Sequence, residues 1–195
     1  ARSGYDNFKA MDGDYHDNVI LQIKNGPMDF QIREPIHPLM GGLRKTNQML
    51  EVQIAQEYTG HQIDVCYLMP MFKEVLEYHT YCTNHPEEDD RQQAGAGDQV
   101  KDIVSGRTFG NQKRGMAGMA AVANTGNDAN WTGNDLAAAN LYGFGRLAFD
   151  TELSSEEIAK EWARLTFDTD EEAVDTIVKI LMESRAVYEK YTSPL

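Results

Sequence analysis

Two short runs in the first third of the chain alternate between apolar and polar residues. They occupy residues 18–24 and residues 50–57. Such alternation is typical of β-strands, because successive side chains of a strand point to opposite faces of the sheet. We therefore predict two strands here, the first of them over residues 19–24.

The connection between these runs bears on how the strands pair. Alternating strands usually form antiparallel sheets with one solvated face. Roughly 25 residues separate the two runs, which is far longer than a hairpin loop and enough for a parallel crossover. We therefore predict parallel strands, with polar faces enclosed by a closed barrel and apolar faces covered by helices.

The remaining patterns are weaker before residue 134 and clearly helical after it. Residues 1–17 are polar and are predicted to form a loop with room for a single helical turn. Helical spacing is found at residues 72–78, and a short helix is predicted at 100–104. A strand of small residues is predicted at 119–123. Three helices follow, at residues 135–149, 158–167 and 173–191. Leu141 and Leu147 of the first and Val187 of the last are among the apolar residues predicted to face a core. Capping boxes beginning at Ser154 and Thr169 precede the last two helices.

Composition excludes several classes of function. The formal net charge of −13 argues against nucleic acid as a partner, because phosphate binding needs a cationic face. No apolar run approaches the ~18 residues of a membrane span, so we predict no membrane partner. The five histidines lack ligand spacing, and Cys66 and Cys82 lack the paired spacing of a zinc site. The sequence therefore predicts buried thiols, no metal and no cofactor.

Two carboxylates follow the predicted strands, Asp29 after the first and Glu57 at the end of the second. Carboxylates at the ends of neighbouring strands can reach one water molecule and one sugar carbon. A separation of ~6.5–9.5 Å would indicate inversion of the sugar carbon, and ~5–5.5 Å a covalent intermediate. The alternative is that both acids serve as loop caps or ion-pair partners.

Lys24 is a lone cation on the polar face of the first strand, shortly before Asp29. A lysine beside two carboxylates either pairs with one of those two or awaits an anionic substrate such as an acidic sugar. The sequence leaves both alternatives open.

Three segments resemble a known family. Residues 17–35, which contain Ile-Lys-Asn-Gly-Pro-Met-Asp, and residues 45–60, which contain Gln-Glu-Tyr-Thr-Gly, resemble the xylan-degrading α-glucuronidases of glycoside hydrolase family 67. Residues 140–150 resemble a later segment of the same family. The resemblance extends over essentially the whole chain.

The resemblance implies a reaction and a set of roles. Family members are inverting enzymes that hydrolyse the α-1,2 bond between glucuronic acid, or its 4-O-methyl ether, and xylose in xylo-oligosaccharides. By motif, Asp29 and Glu57 would orient and activate water, and Lys24 would contact the uronate carboxylate. The expected substrate is a glucuronoxylo-oligosaccharide, without metal or organic cofactor. The full-length enzyme is expected to be a cytoplasmic homodimer.

The resemblance also implies an α/β fold. Residues 1–133 would form the C-terminal portion of a (β/α)8 TIM barrel, and residues 134–195 the start of a helical C-terminal region. The family's general-acid glutamate would lie upstream of this chain, so the fragment alone would lose ~10²–10⁴-fold or more in rate. An open half-barrel would expose unpaired strand edges.

Two alternatives to catalysis of this reaction remain. The chain is either a non-catalytic folding or dimerisation unit that binds acidic xylo-oligosaccharides weakly, or part of a barrel hydrolase for another acidic glycan.

Overall fold

The computed structural model describes most of the chain, with several gaps. The described residues are 2–26, 36–55, 64–80, 97–107, 116–123, 127, 129, 134–167 and 170–192. They divide into two compact units. We call Ala1–Met28, Glu34–Val52 and Glu74–Ala120 the sheet unit, and Asp29–Arg33, Gln53–Lys73 and Ala121–Leu195 the helical unit.

Three strands form the sheet, in the order β1-β2-β3. They are β1 (Ile20–Lys24), β2 (Asn47–Gln53) and β3 (Gly118–Val122). Strands β1 and β2 are parallel, with Lys24 opposite Glu51, which confirms the parallel pairing predicted from the long connection. Strand β2 begins three residues earlier than predicted. It also ends earlier, because Ile54 and Ala55 already lie in a bend.

Strand β2 is buried on both faces. The apolar residues Leu50 and Val52 are buried, and so are Glu51 and Gln53 on the opposite face. A sheet with one solvated face would expose the polar set, so this alternative is wrong for β2. Burial on both faces is typical of parallel sheets.

The prediction of a loop over residues 1–17 is wrong, because Arg2–Ala10 form the helix α1. Helix α1 is only nine residues long and none of its residues is buried, so its packing gave little guidance in the sequence. Polar contacts hold the turn that follows it. The Asp12 carboxylate accepts hydrogen bonds from the backbone N–H groups of Arg44 (2.7 Å), Lys45 (3.0 Å) and Thr46 (3.0 Å).

Helices α2 (Met69–Glu77) and α3 (Val100–Val104) lie between β2 and β3 in sequence. Helix α3 and strand β3 confirm the predicted short helix and small-residue strand, β3 with a shift of one residue. Apolar side chains form the core of the sheet unit, including Leu39, Met40, Leu43, Leu50, Val52, Val75, Leu76, Val100 and Ile103.

The helical region predicted from residue 134 onward is confirmed. A 3₁₀ turn (Asp135–Ala137) leads into α4 (Ala138–Phe149), followed by α5 (Ser155–Thr166) and α6 (Glu171–Thr192). Helix α5 begins with the predicted capping box: Ser154 Oγ accepts from Glu157 N–H at 3.2 Å, and Glu157 Oε2 accepts from Ser154 N–H at 2.9 Å.

The first turn of α6 is capped differently from the prediction. Asp170 Oδ1 accepts a hydrogen bond from Ala173 N–H at 2.9 Å, and the helix begins at Glu171. Asp170 therefore occupies the capping position that the sequence analysis gave to Thr169, which lies outside the described residues.

Two apolar residues predicted to face the core are exposed instead: Leu141 of α4 is 46% exposed and Val187 of α6 is 57% exposed. The buried face of α4 consists of Ala139, Asn140, Gly143 and Leu147. Leu147 is buried as predicted, but the pattern passed over Asn140 and Gly143, because small and polar side chains allow close helix packing and carry little hydrophobic signal.

Candidate functional site

The structure describes one of the three predicted site residues. Lys24 is the last residue of β1, whereas Asp29 and Glu57 lie outside the described residues. The Lys24 side chain is 54% exposed. It therefore places a solvent-accessible ammonium group at the carboxyl end of a parallel strand, where parallel barrels carry their chemistry.

A buried carboxylate on the neighbouring strand faces this ammonium. Lys24 Nζ lies 3.7 Å from Glu51 Oε1, and the two residues are opposite each other in the parallel register. The Glu51 side chain is only 10% exposed, and its other oxygen, Oε2, accepts a hydrogen bond from Gln22 Nε2. Lys24 thus pairs with Glu51, which is not one of the two predicted carboxylates. Its pairing with Asp29 or Glu57 and its contact with substrate stay predictions.

The ion pair contributes more to geometry than to stability. A distance of 3.7 Å exceeds a normal hydrogen bond, so the attraction is ionic rather than directional. Because Lys24 is half-exposed, solvent screening limits such a pair to about 0–1 kcal/mol. The buried Glu51 carboxylate, however, contacts Gln22 through one oxygen and Lys24 through the other. Its position therefore determines the point toward which the ammonium is attracted.

The residue after Lys24 is fixed through its backbone. Asn25 N–H donates to the carbonyl oxygen of Glu51 at 2.9 Å, and Asn25 O accepts from His37 N–H at 2.7 Å. Its side chain is buried, and Oδ1 has no hydrogen-bond partner among the described residues. A buried acceptor without a donor is uncommon, and a water or ligand hydroxyl would satisfy it.

His37 is held as a neutral ring. Its Nδ1 accepts a hydrogen bond from Leu39 N–H at 3.1 Å, which leaves the proton on Nε2. Burial lowers the pKa of His37. The imidazole is therefore an N–H donor at neutral pH and adds no positive charge beside Lys24.

A cavity of about 330 Å³ follows β1. Leu21, Gln22, Ile23 and Lys24 all line it, although consecutive strand residues point to opposite faces. The cavity therefore runs along an edge of β1, which is the edge strand of the described sheet. Gly4 and Phe8 of α1, together with His37 and Leu39, also line this space.

The described part of the chain offers little else that could hold a cofactor. Within it, no group of three or more His, Cys, Asp and Glu side chains is arranged to bind a metal ion. None of the helices resolved there combines the length and apolarity that crossing a bilayer requires.

Sequence reasoning missed Glu51 as a site residue. The acid was recognised only as one of several polar residues on β2, because its pairing with Lys24 depends on strand register. A one-residue slip would move its side chain to the other face. No local pattern reveals that offset.

Comparison with known proteins gives consistent results. The model of the glycosyl hydrolase family 67 middle domain matches residues 1–131, and that of the family 67 C-terminus matches residues 132–195. The chain is 44% identical to a probable alpha-glucuronidase A of Aspergillus flavus and to alpha-glucuronidase A of Emericella nidulans, and 40% identical to alpha-glucuronidase A of Aspergillus tubingensis. Each match covers the whole chain. The chain spans about a fifth of the length of these relatives, 22%, 21% and 22% respectively.

Proposed function

The chain belongs to glycosyl hydrolase family 67, and from this premise we propose that it is part of an α-glucuronidase. Residues 1–133 would form the late part of a (β/α)8 barrel, and residues 134–195 would begin the C-terminal region. The parallel pairing of β1 with β2, the burial of both faces of β2 and the helices after residue 134 all support this assignment.

The proposed reaction is hydrolysis of the α-1,2 bond between glucuronic acid, or its 4-O-methyl ether, and xylose in xylo-oligosaccharides. Asp29 and Glu57 orient a water molecule, and one of the two accepts its proton as the oxygen attacks the anomeric carbon, with inversion. A general acid from elsewhere in the full-length protein protonates the departing xylose oxygen. Because β1 and β2 are parallel neighbours, we expect the carboxylates that follow them to meet at one sheet edge.

One observation supports the uronate assignment most directly: a half-exposed ammonium group lies at the carboxyl end of β1 beside a buried carboxylate. In this proposal Lys24 attracts the carboxylate of the sugar, while the two acids act on the anomeric carbon. A positive charge is needed in a site whose catalytic groups are both negative, because like charges repel an anionic substrate.

The test of catalysis uses the full-length protein that contains this chain. We expect Asp29→Asn and Glu57→Ala each to lower kcat by ~10²–10⁴-fold on 4-O-methylglucuronoxylotriose. Proton NMR of early product should show the β-anomer of the uronic acid, as inversion of an α-linkage requires. Glu161→Gln in α5 is the control, since it alters the contacts of Glu161 with Arg146 and Tyr142, neither of which is a proposed site residue. Near-normal turnover of both site variants, or an initial α-anomer, would contradict the proposal.

The proposal includes three further expectations. The 195-residue chain alone should release no uronic acid from the same substrate, and release would show that it supplies its own general acid. The full-length protein should be a homodimer by light scattering and should fractionate with the cytoplasm. A preference for galacturonosyl over glucuronosyl substrates would indicate a different acidic glycan instead.

A further inference from the structure

We propose that Glu51 is a positioning residue for substrate binding: it holds the Lys24 ammonium where the uronate carboxylate arrives. The inference rests on the proposed function, because it assumes that Lys24 contacts the uronate. It adds a second residue to that contact, one that touches no substrate and acts through the lysine.

Glu51 has the properties of a fixed anchor. It lies within β2, which is buried on both faces, and its own side chain is 10% exposed. Gln22 donates to one carboxylate oxygen, and the other oxygen faces Lys24 Nζ at 3.7 Å. The carboxylate is therefore restrained by packing, by strand register and by a hydrogen bond.

Lys24 has the opposite properties. Its ammonium ends a flexible four-carbon stem that is half-exposed, and such a side chain samples many rotamers in the absence of a partner. Attraction to a fixed carboxylate limits those rotamers before the substrate arrives. Pre-organisation of this kind raises affinity, because less freedom is lost on binding.

Glu51 also carries a negative charge, which would repel a uronate. The buried position of Glu51 and the exposed position of Lys24 put the ammonium on the solvent side of the pair. A carboxylate that arrives from solvent therefore meets the ammonium first. We infer that positioning outweighs repulsion, so loss of the Glu51 charge weakens uronate binding.

The experiment is a double-mutant cycle in the full-length protein with Glu51→Gln, Lys24→Met and the double variant. We expect Glu51→Gln to raise KM for 4-O-methylglucuronoxylotriose roughly fivefold with kcat within about twofold, as loss of one half-exposed ion pair implies. In the Lys24→Met background the same substitution should change KM less than twofold. A merely structural role of Glu51 would give the same change in both backgrounds.

Direct binding provides a readout besides activity. Calorimetric titration with D-glucuronate and with D-glucose should show that Glu51→Gln weakens only the charged sugar. Glu161→Gln is the matched control, because it neutralises another ion-paired glutamate, and should leave both titrations unchanged. Gln22→Met is the second variant if Glu51→Gln does not fold. It should raise KM about twofold, because it removes the hydrogen bond to Glu51 and keeps both charges.

The outcomes separate this inference from the proposed function. If Lys24→Met raises KM but Glu51→Gln leaves it unchanged or lowers it, the inference is wrong and the lysine assignment stands. If Lys24→Met leaves KM and glucuronate binding unchanged, the proposed uronate contact itself fails. Equal effects of Glu51→Gln in both backgrounds also overturn the positioning role.

Discussion

Buried asparagine side chains are hydrogen-bonded differently in the two units of the molecule. In the helical unit, Asn140 accepts from Leu68 N–H at 2.8 Å and donates to Cys66 O at 2.9 Å. In the sheet unit, the buried Oδ1 atoms of Asn25 and Asn47 have no hydrogen-bond partner among the described residues.

The helical unit uses such bonds to fix an extended segment, residues 65–68, against its helices. Tyr67 N–H donates to Ser184 Oγ at 2.9 Å, and the Tyr67 hydroxyl donates to Ser155 O at 3.0 Å. The backbone of this segment has no strand partner in the described structure, so side chains of α4 and α6 take that place.

This difference indicates different roles. Fully satisfied polar networks make a structure rigid and unique, whereas a buried acceptor without a donor retains the capacity to bind water or ligand. We therefore expect substitutions in the helical unit to act mainly on stability. Those around β1 and β2 should act more on binding.

The largest expected effect is that of Asn140→Ala. It removes the hydrogen bonds that Asn140 makes with Cys66 O and Leu68 N–H, which should lower the free energy of opening the helical unit by about 2–4 kcal/mol. Alkylation of the buried Cys66, followed by peptide mass spectrometry, should become about a hundredfold faster. Asn127→Ala, at an exposed position, is the control and should change the rate little. Equal alkylation rates of Cys66 in the two variants would contradict the stabilising role that we assign to the Asn140 hydrogen bonds.

A pair of glycines in α4 tests packing in the same unit. A Cβ at Gly143 would lie 2.6 Å from Met69 Cγ and Sδ, so Gly143→Ala should destabilise by about 1–3 kcal/mol. A Cβ at Gly145 would meet no atom within 4 Å, so Gly145→Ala should stabilise by about 0.4–1 kcal/mol. Urea midpoints of the two variants measure the contrast. If both substitutions lowered the urea midpoint, the space around each glycine and helix propensity would not decide whether an added methyl group stabilises the protein.

Alkaline pH should weaken the helical unit through Cys66. Burial raises the pKa of its thiol from 9.0 to about 12, and burial also raises the pKa of Tyr67. Above pH 9 the unfolded thiol is ionised while the folded thiol keeps its proton, so stability is present below pH 9 and falls as pH rises. The slope is at most about 1.4 kcal/mol per pH unit for the thiol.

Urea unfolding at a series of pH values above 8 measures this slope. Cys66→Ala should reduce it and leave the part due to Tyr67. An unchanged slope in the variant would show that the thiol is not responsible.

The smallest expected effect is an acid sensitivity of the sheet unit through His37. Its pKa is lowered from 6.5 by burial, so the folded ring stays neutral where the unfolded ring binds a proton. The stability is therefore present above pH 6.5 and is lost as pH falls below it. Protonation also removes the acceptor for Leu39 N–H.

Hydrogen exchange of the Leu39 amide, corrected for intrinsic rates, should therefore accelerate below pH 6.5. His37→Asn keeps an acceptor without a titrating ring and should abolish the pH dependence. A persistent dependence in that variant would assign the effect to another group.

Much of the secondary structure was predictable because its signals are local. Alternation identified β1 and β2, the length of their connection identified parallel pairing, and Ser154 with Glu157 marked the start of α5. Helix α1 was missed because it buries none of its residues, and its anchor, Asp12, binds backbone groups more than 30 residues away. A local sequence pattern cannot predict a contact between residues so far apart in the chain.

The candidate site was predictable only in part. Lys24 was identified from its position on a strand, and its partner Glu51 was not. The roles of Asp29 and Glu57 stay predictions, since both residues lie outside the described part of the chain.

The sequence by itself determined the strands and helices other than α1 and, through its motifs, the family to which the chain belongs. The tertiary structure alone decided that Glu51 lies opposite Lys24 and that α4 packs through Asn140 and Gly143 rather than Leu141. The physical reason is that periodicity acts over a few neighbouring residues, whereas register and helix packing depend on contacts between residues far apart in the chain.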